Sequence, residues 1–96
     1  MKVTNMKSAS GKPVVNQFIT VDNATRKDYS VKMFQSYDKI IAMITYDSGR
    51  PKVQLDKHYW NYSTTTSKYR NQFLGETTKQ TQAKIDSGEY ILTDLN

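Results

Sequence analysis

The stretch Ile40-Ile41-Ala42-Met43-Ile44-Thr45-Tyr46 decides the fold, together with Asp47-Ser48-Gly49-Arg50-Pro51 and Lys52-Val53-Gln54-Leu55 behind it. Ile40, Ala42, Ile44 and Tyr46 fall on one side of an extended chain, and Ile41 and Met43 on the other. A segment that is apolar on both faces belongs at the centre of a sheet. The Asp-Ser-Gly-Arg-Pro cluster is a turn. Val53 and Leu55 then share one face, so residues 40–55 predict a β-hairpin. Pro51 is tolerated because it stands at the start of its strand.

Working outward toward the N-terminus, Lys27–Phe34 alternates with period two. Tyr29, Val31 and Met33 point one way, and Ser30, Lys32 and Phe34 the other. Asp22-Asn23-Ala24-Thr25 marks a turn before it. Val14–Val21, rich in β-branched residues, predicts another strand. Residues 1–12 are polar and carry Lys2, Lys7 and Lys12. They are expected to form a basic arm, flexible or docked on a sheet edge, with residues 13–96 as a single domain.

Toward the C-terminus, Ser63-Thr64-Thr65-Thr66-Ser67 supplies hydroxyls that can cap a helix over Lys68–Leu74. Tyr69 and Phe73 lie four apart on one face of it, and Gly75 offers a left-handed end. Thr77 and Gln80 have capping-box spacing for a second helix that stops at Gly88. The apolar face of that helix is thin, essentially Ala83 and Ile85. Tyr90-Ile91-Leu92 predicts a last short strand. The order of strands followed by helices predicts a small α+β domain, a mostly antiparallel sheet with two short helices near the C-terminus.

Composition narrows the function. The 96 residues include no cysteine, which excludes a disulfide framework, a thiolate zinc site and a cysteine nucleophile. No apolar run approaches the roughly 18 residues that a membrane span needs. The N-terminus lacks the apolar stretch of a signal peptide, so a cytoplasmic location is expected. No phosphate-cradling glycine motif is present. His58 is the only histidine, and the carboxylates sit mostly beside turns with no acid/base spacing. The expectation is therefore a non-enzymatic protein with no cofactor and no metal. A domain this small has a thin stability margin, and a homodimer is one way to widen it.

The formal charge of +5 is unevenly spread. Arg50–Arg70 holds Arg50, Lys52, Lys57, Lys68 and Arg70 against Asp56 alone, while residues 71–96 carry more acids than bases. Tyr59, Trp60, Tyr62 and Tyr69 are interleaved with these cations. Two meanings stand side by side. The aromatics can be core residues with a solvated basic rim, or an exposed set for binding. In the second case Lys52, Lys57, Lys68 and Arg70 suit phosphates and an exposed ring suits a base. The hydroxyls and helix N-terminus at Ser63–Ser67 could also take an anion.

The element Trp60–Glu76 (WNYSTTTSKYRNQFLGE) resembles a group of small proteins carried by bacteriophages and other mobile elements of Firmicutes. Gly11–Phe18 (GKPVVNQF), Phe34–Ala42 (FQSYDKIIA), Ile85–Tyr90 (IDSGEY) and the ending Asp94-Leu95-Asn96 resemble it too. The resemblance implies an accessory protein that binds and inhibits a host or defence-system protein, anti-CRISPR-like, including a nucleic-acid-bound effector. The group has no established activity, so no catalytic residue is carried over. On this reading Tyr59, Trp60, Tyr62, Lys68, Tyr69 and Arg70 are the partner-binding candidates, since aromatic and basic residues anchor interfaces. A nucleic-acid module is the alternative, and a virion structural or assembly protein the weaker one. The resemblance also implies a plainer role for Trp60–Phe73, a strand-to-helix corner whose aromatics hold the fold.

Overall fold

The computed structural model describes residues 2–23 and 29–96, with Asn23 described by its backbone alone. Part of the expected turn at Asp22–Thr25, and Lys27 and Asp28 of the expected strand, lie outside the described residues. Among the described residues six strands and two helices follow in the order β1 (Lys2–Lys7), β2 (Pro13–Asn23), β3 (Tyr29–Ser36), β4 (Lys39–Asp47), β5 (Arg50–Asp56), α1 (Thr64–Leu74), α2 (Thr78–Asp86) and β6 (Ile91–Thr93). All strands join one sheet in sequence order. β1 to β5 form an antiparallel meander, and β6 pairs with β5 in parallel. A parallel neighbour requires a crossover connection, and α1 and α2 supply it. The result is the expected α+β domain.

The flexible form of the arm is corrected, and its edge-docked alternative is what forms. Residues 2–7 are the first strand, with Thr4 opposite Ile19 and Lys2 opposite Val21. Met6 is buried and belongs to the core cluster. One buried side chain in six is the pattern of an edge strand, whose order comes from ladder bonds to its neighbour more than from its own apolar content.

The β4–β5 hairpin turns on Ser48 and Gly49, both at positive φ, which matches the right-handed twist of the flanking strands. In β4 the expected alternation fails at one residue. Phe34 faces Ala42, yet Gln35 faces Ile40, so Ile41 is the extra residue of a β-bulge. The bulge lets Ile41 join Ala42 in the core, and both are fully buried.

Both helices pack on one face of the sheet. Phe73 of α1 stacks on Phe34, with ring centroids 5.8 Å apart. Thr66 shares a 3.0 Å hydroxyl hydrogen bond with Ser36. Leu74, Lys84 and Tyr90 border a cleft with Ile44, Tyr46 and Val53 of the same face. The core therefore lies between β3–β5 and the helices, around Phe34, Ile41, Ala42, Ile44, Leu55, Tyr69, Phe73 and Tyr90.

The helix boundaries follow local chemistry. Ser63 caps α1 by accepting from the Thr66 N–H, and Gly75 ends it at φ 71° with its N–H on the Asn71 carbonyl. α2 carries the full Thr77/Gln80 capping box. Its anchoring is polar, as its thin apolar face requires. The buried Glu76 carboxylate accepts from Thr81 Oγ1, from Tyr90 Oη at 2.7 Å and from Lys84 Nζ at 2.9 Å. Burial alone would raise the pKa of Glu76, but these donors and the Lys84 charge hold it below the usual carboxylate value.

Gln17 is an exception to the usual pairing of buried polar groups. It is fully buried on the helix side of β2, opposite Ser36, and neither amide atom has a hydrogen-bond partner among the described residues. An unsatisfied buried amide costs about 1–3 kcal/mol. Gln17→Met, which keeps the shape and removes the polar atoms, is expected to raise stability by about 1 kcal/mol. For a domain of this size that corresponds to roughly 4–8 °C in Tm, read by calorimetry.

Candidate functional site

The stretch flagged by charge and aromatics becomes the corner between β5 and α1. Asp56 opens it. One carboxylate oxygen accepts from the backbone N–H of His58 (3.0 Å) and Tyr59 (2.9 Å). The other accepts from the Leu95 N–H (2.8 Å) and Asn96 Nδ2 (3.1 Å). Burial opposes the charged form of Asp56, yet the four donors win and its pKa is lowered. Asn96 also bonds both the N–H and the carbonyl of Ile40. A single carboxylate thus ties the corner, the chain's last two residues and β4 together.

Arg70 holds the other side of the corner. Its side chain is fully buried. Nη1 donates to the Trp60 carbonyl, Asn61 Oδ1 (3.3 Å) and Ser67 Oγ (3.4 Å). Nη2 donates to Asn71 Oδ1 (2.9 Å) and Thr78 Oγ1 (2.8 Å). The guanidinium centre lies 5.1 Å from the centroid of the Trp60 ring. No carboxylate among the described residues pairs with it directly. Burial lowers its pKa, and the charge of Glu76 opposes that shift.

Two partner-binding candidates therefore leave the surface. Arg70 is a structural tie among Trp60, Asn61, Ser67, Asn71 and Thr78. Tyr69 is 7% exposed and sits in the core cluster. Tyr59 and Trp60 are half-buried, packed against that cluster. The rings of Tyr59 and Tyr62 meet edge to face at 5.6 Å, and Lys39 lies 5.3 Å from the centroid of Tyr59. Tyr62, at 48% exposed, and Lys68 remain at the surface.

The nucleic-acid set is not brought together. Lys52 pairs with Thr45 and alternates with Val53 and Leu55, so it stands on the sheet face away from the helices. Arg70 is buried. Lys57, in the turn after β5, and Lys68, on α1, stay exposed.

What the corner does form is an open cleft of about 680 Å³, lined by Asn61, Tyr62, Ser63, Thr64, Ser67, Lys68, Asn71 and Thr78. Four of these accept a hydrogen bond from Arg70 beneath them. The buried cation thereby occupies acceptor oxygens of the floor. Asn61 Oδ1 accepts from both Arg70 and Ser67. With the first turn of α1 and Lys68 added, the cleft is rich in donors and positive in field, which suits a carboxylate or phosphate. Ser63–Ser67 and Lys68 were visible in the sequence. Asn61 and Asn71 were not, because a lone amide gives no spacing signal, and Thr78 was not, because only the sharp turn at Gly75 returns the start of α2 to the side of α1. Among the described residues no group of three or more His, Cys, Asp or Glu side chains could hold a metal ion. Among the same residues no helix is long and apolar enough to cross a membrane.

Residues 1–89 match a family of unknown function, DUF8033. No curated protein and no solved structure matches the chain.

Proposed function

The chain belongs to this family of unknown function, and on that footing we propose that it is a binding protein of a phage or mobile element that inhibits a host or defence protein. The α1 corner is the surface that docks, with Tyr62 as the exposed ring and Lys68 as the exposed cation. The observation that carries this reading is the donor-rich cleft between them, set over a buried arginine. An acidic group of the partner enters the cleft, and Tyr62 supplies apolar contact beside it. The phage setting rests on the resemblance of the Trp60–Glu76 element.

Nucleic-acid binding is the second reading, supported by Lys57 and Lys68 but weakened by the dispersal of Lys52 and Arg70. The two readings differ in salt response. A phosphate binder loses affinity with a log–log slope of about −0.7 to −0.9 per contact. The test is capture from infected-host lysate by the tagged chain and by its Tyr62→Ala/Lys68→Glu variant. One stoichiometric protein, lost in the variant while its thermal melt is unchanged, supports the proposal. Equal capture by both contradicts it, and a nuclease-sensitive capture moves the assignment to nucleic acid.

A further inference from the structure

The sheet has a second face, and no described element covers it. Alternation from the helix-packed residues places Phe18, Val31, Met33 and Met43 there, and none of them joins the core cluster. The register runs one row of residues across all six strands on this side. Val3 faces Thr20, Thr20 faces Met33, Met33 faces Met43, Met43 faces Gln54, and Gln54 faces Ile91. The two ends of that row are among the large hydrophobics most exposed to solvent, Val3 at 59% and Ile91 at 44%.

The row is symmetric in character about the gap between β3 and β4. Outward from the centre it reads Met and Met, then Thr and Gln, then Val and Ile. The neighbouring row runs from Asp22 through Val31 and Thr45 to Lys52, so an acid on β2 mirrors a base on β5. A two-fold axis along the strands, above the β3–β4 gap, lays β2 of one copy over β5 of the other. It sets Met33 over Met43, Val3 over Ile91, and Asp22 over Lys52 twice.

We propose that this face is the interface of a homodimer in which two copies pack sheet to sheet about that axis. Six strands about 4.8 Å apart and about seven residues long at about 3.3 Å each give a face of roughly 650 Å² in projection. That is near the roughly 800 Å² per partner of a standard interface, before side-chain relief is added. Aligned sheets pack about 10 Å apart with their strands turned by about 30°, which the twist of a single sheet accommodates. The unbranched side chains of Met33 and Met43 fill the irregular gap at the centre. The inference is independent of the α1 corner, which lies on the helix side and stays outward in the dimer.

The test is sedimentation equilibrium on the full chain. Wild type is expected at twice 11.1 kDa at tens of micromolar. Asp22→Lys alone and Lys52→Asp alone should each raise the dimer dissociation constant at least tenfold, because each places like charges together twice. The double variant Asp22→Lys/Lys52→Asp should return to within about threefold of wild type. Met43→Glu should give a monomer with an unchanged circular dichroism spectrum. If that variant unfolds, the charge pair alone decides. A wild type that stays monomeric to several hundred micromolar overturns the proposal. So does a dimer indifferent to both single reversals, or a double variant that fails to recover.

Discussion

Arg70→Ala is expected to cost about 3–5 kcal/mol, the largest loss among the substitutions considered. The side chain donates to five oxygens from the Trp60–Asn61 turn, from α1 and from the first residue of α2. Truncation leaves those oxygens facing a void and removes the cation beneath the Trp60 ring. Against a typical total of about 5–15 kcal/mol, such a loss leaves a substantial unfolded population. Arg70→Lys keeps the charge but not the planar fork, so it should fall between. Lys68→Ala, on the exposed side of the same helix, should change stability by no more than about 0.5 kcal/mol. Urea unfolding of the three variants checks the order. If Arg70→Ala melts like Lys68→Ala, the buried tie is wrong.

Asp56→Ala should cost about 2–4 kcal/mol, because one buried carboxylate satisfies three backbone N–H groups and Asn96. The effect should be localised as well as global. The amide of Leu95 should exchange with solvent far faster, while the β3–β4 ladder keeps its protection under native conditions. The same group sets the acid response. The folded pKa values of Asp56 and Glu76 are both lowered. Their contribution is therefore fully present above the unfolded carboxylate range of about 4, and is lost as pH falls through the folded values. Thermal melts from pH 7 down to pH 2 should show Tm falling below about pH 4. Asp56→Ala should flatten part of that fall. A Tm that is level to pH 2, or a variant with the full acid slope, would contradict the assignment.

Much of the fold was legible because it is written in local chemistry. Gly75 and the Thr77/Gln80 pair act within a turn of their own positions, and the structure uses each in its expected role; of the hydroxyls Ser63–Ser67 the first is the cap, so α1 starts at Thr64 instead of Lys68. The apolar Ile40–Tyr46 segment sits in the fourth of six strands, as its two-sided pattern required. Residues 2–7 could be read only as mobile or edge-docked, because an edge strand is ordered by its neighbour. Lys-Val-Thr-Asn-Met-Lys holds one buried residue, and the ladder that fixes it belongs to β2. Ile41 was placed on the wrong face because a bulge depends on the register between two strands.

The candidate site was half legible. Its location between Trp60 and Arg70 followed from charge and aromatic clustering. The core role of Tyr69 was one of the two meanings open in the sequence, but the buried role of Arg70 was not legible, because a cation was taken as a surface group. A signal was available in the spacing. Thr66, Tyr69, Arg70 and Phe73 recur at the intervals of one helix face, and all four are buried. What no spacing could supply was the set of oxygens that makes burial of Arg70 affordable, since they come from a turn and two helices.

The corner carrying Tyr62 and Lys68 is the proposed docking surface for the partner. Site-specific photo-crosslinking tests it most directly, with a photoreactive phenylalanine analogue in place of Tyr62 and, as control, in place of Val15, which is 77% exposed on β2. In cells carrying the host or defence target, position 62 should give one discrete covalent adduct with a host or defence protein, and position 15 none. No adduct from position 62, or the same adducts from both positions, would contradict the account.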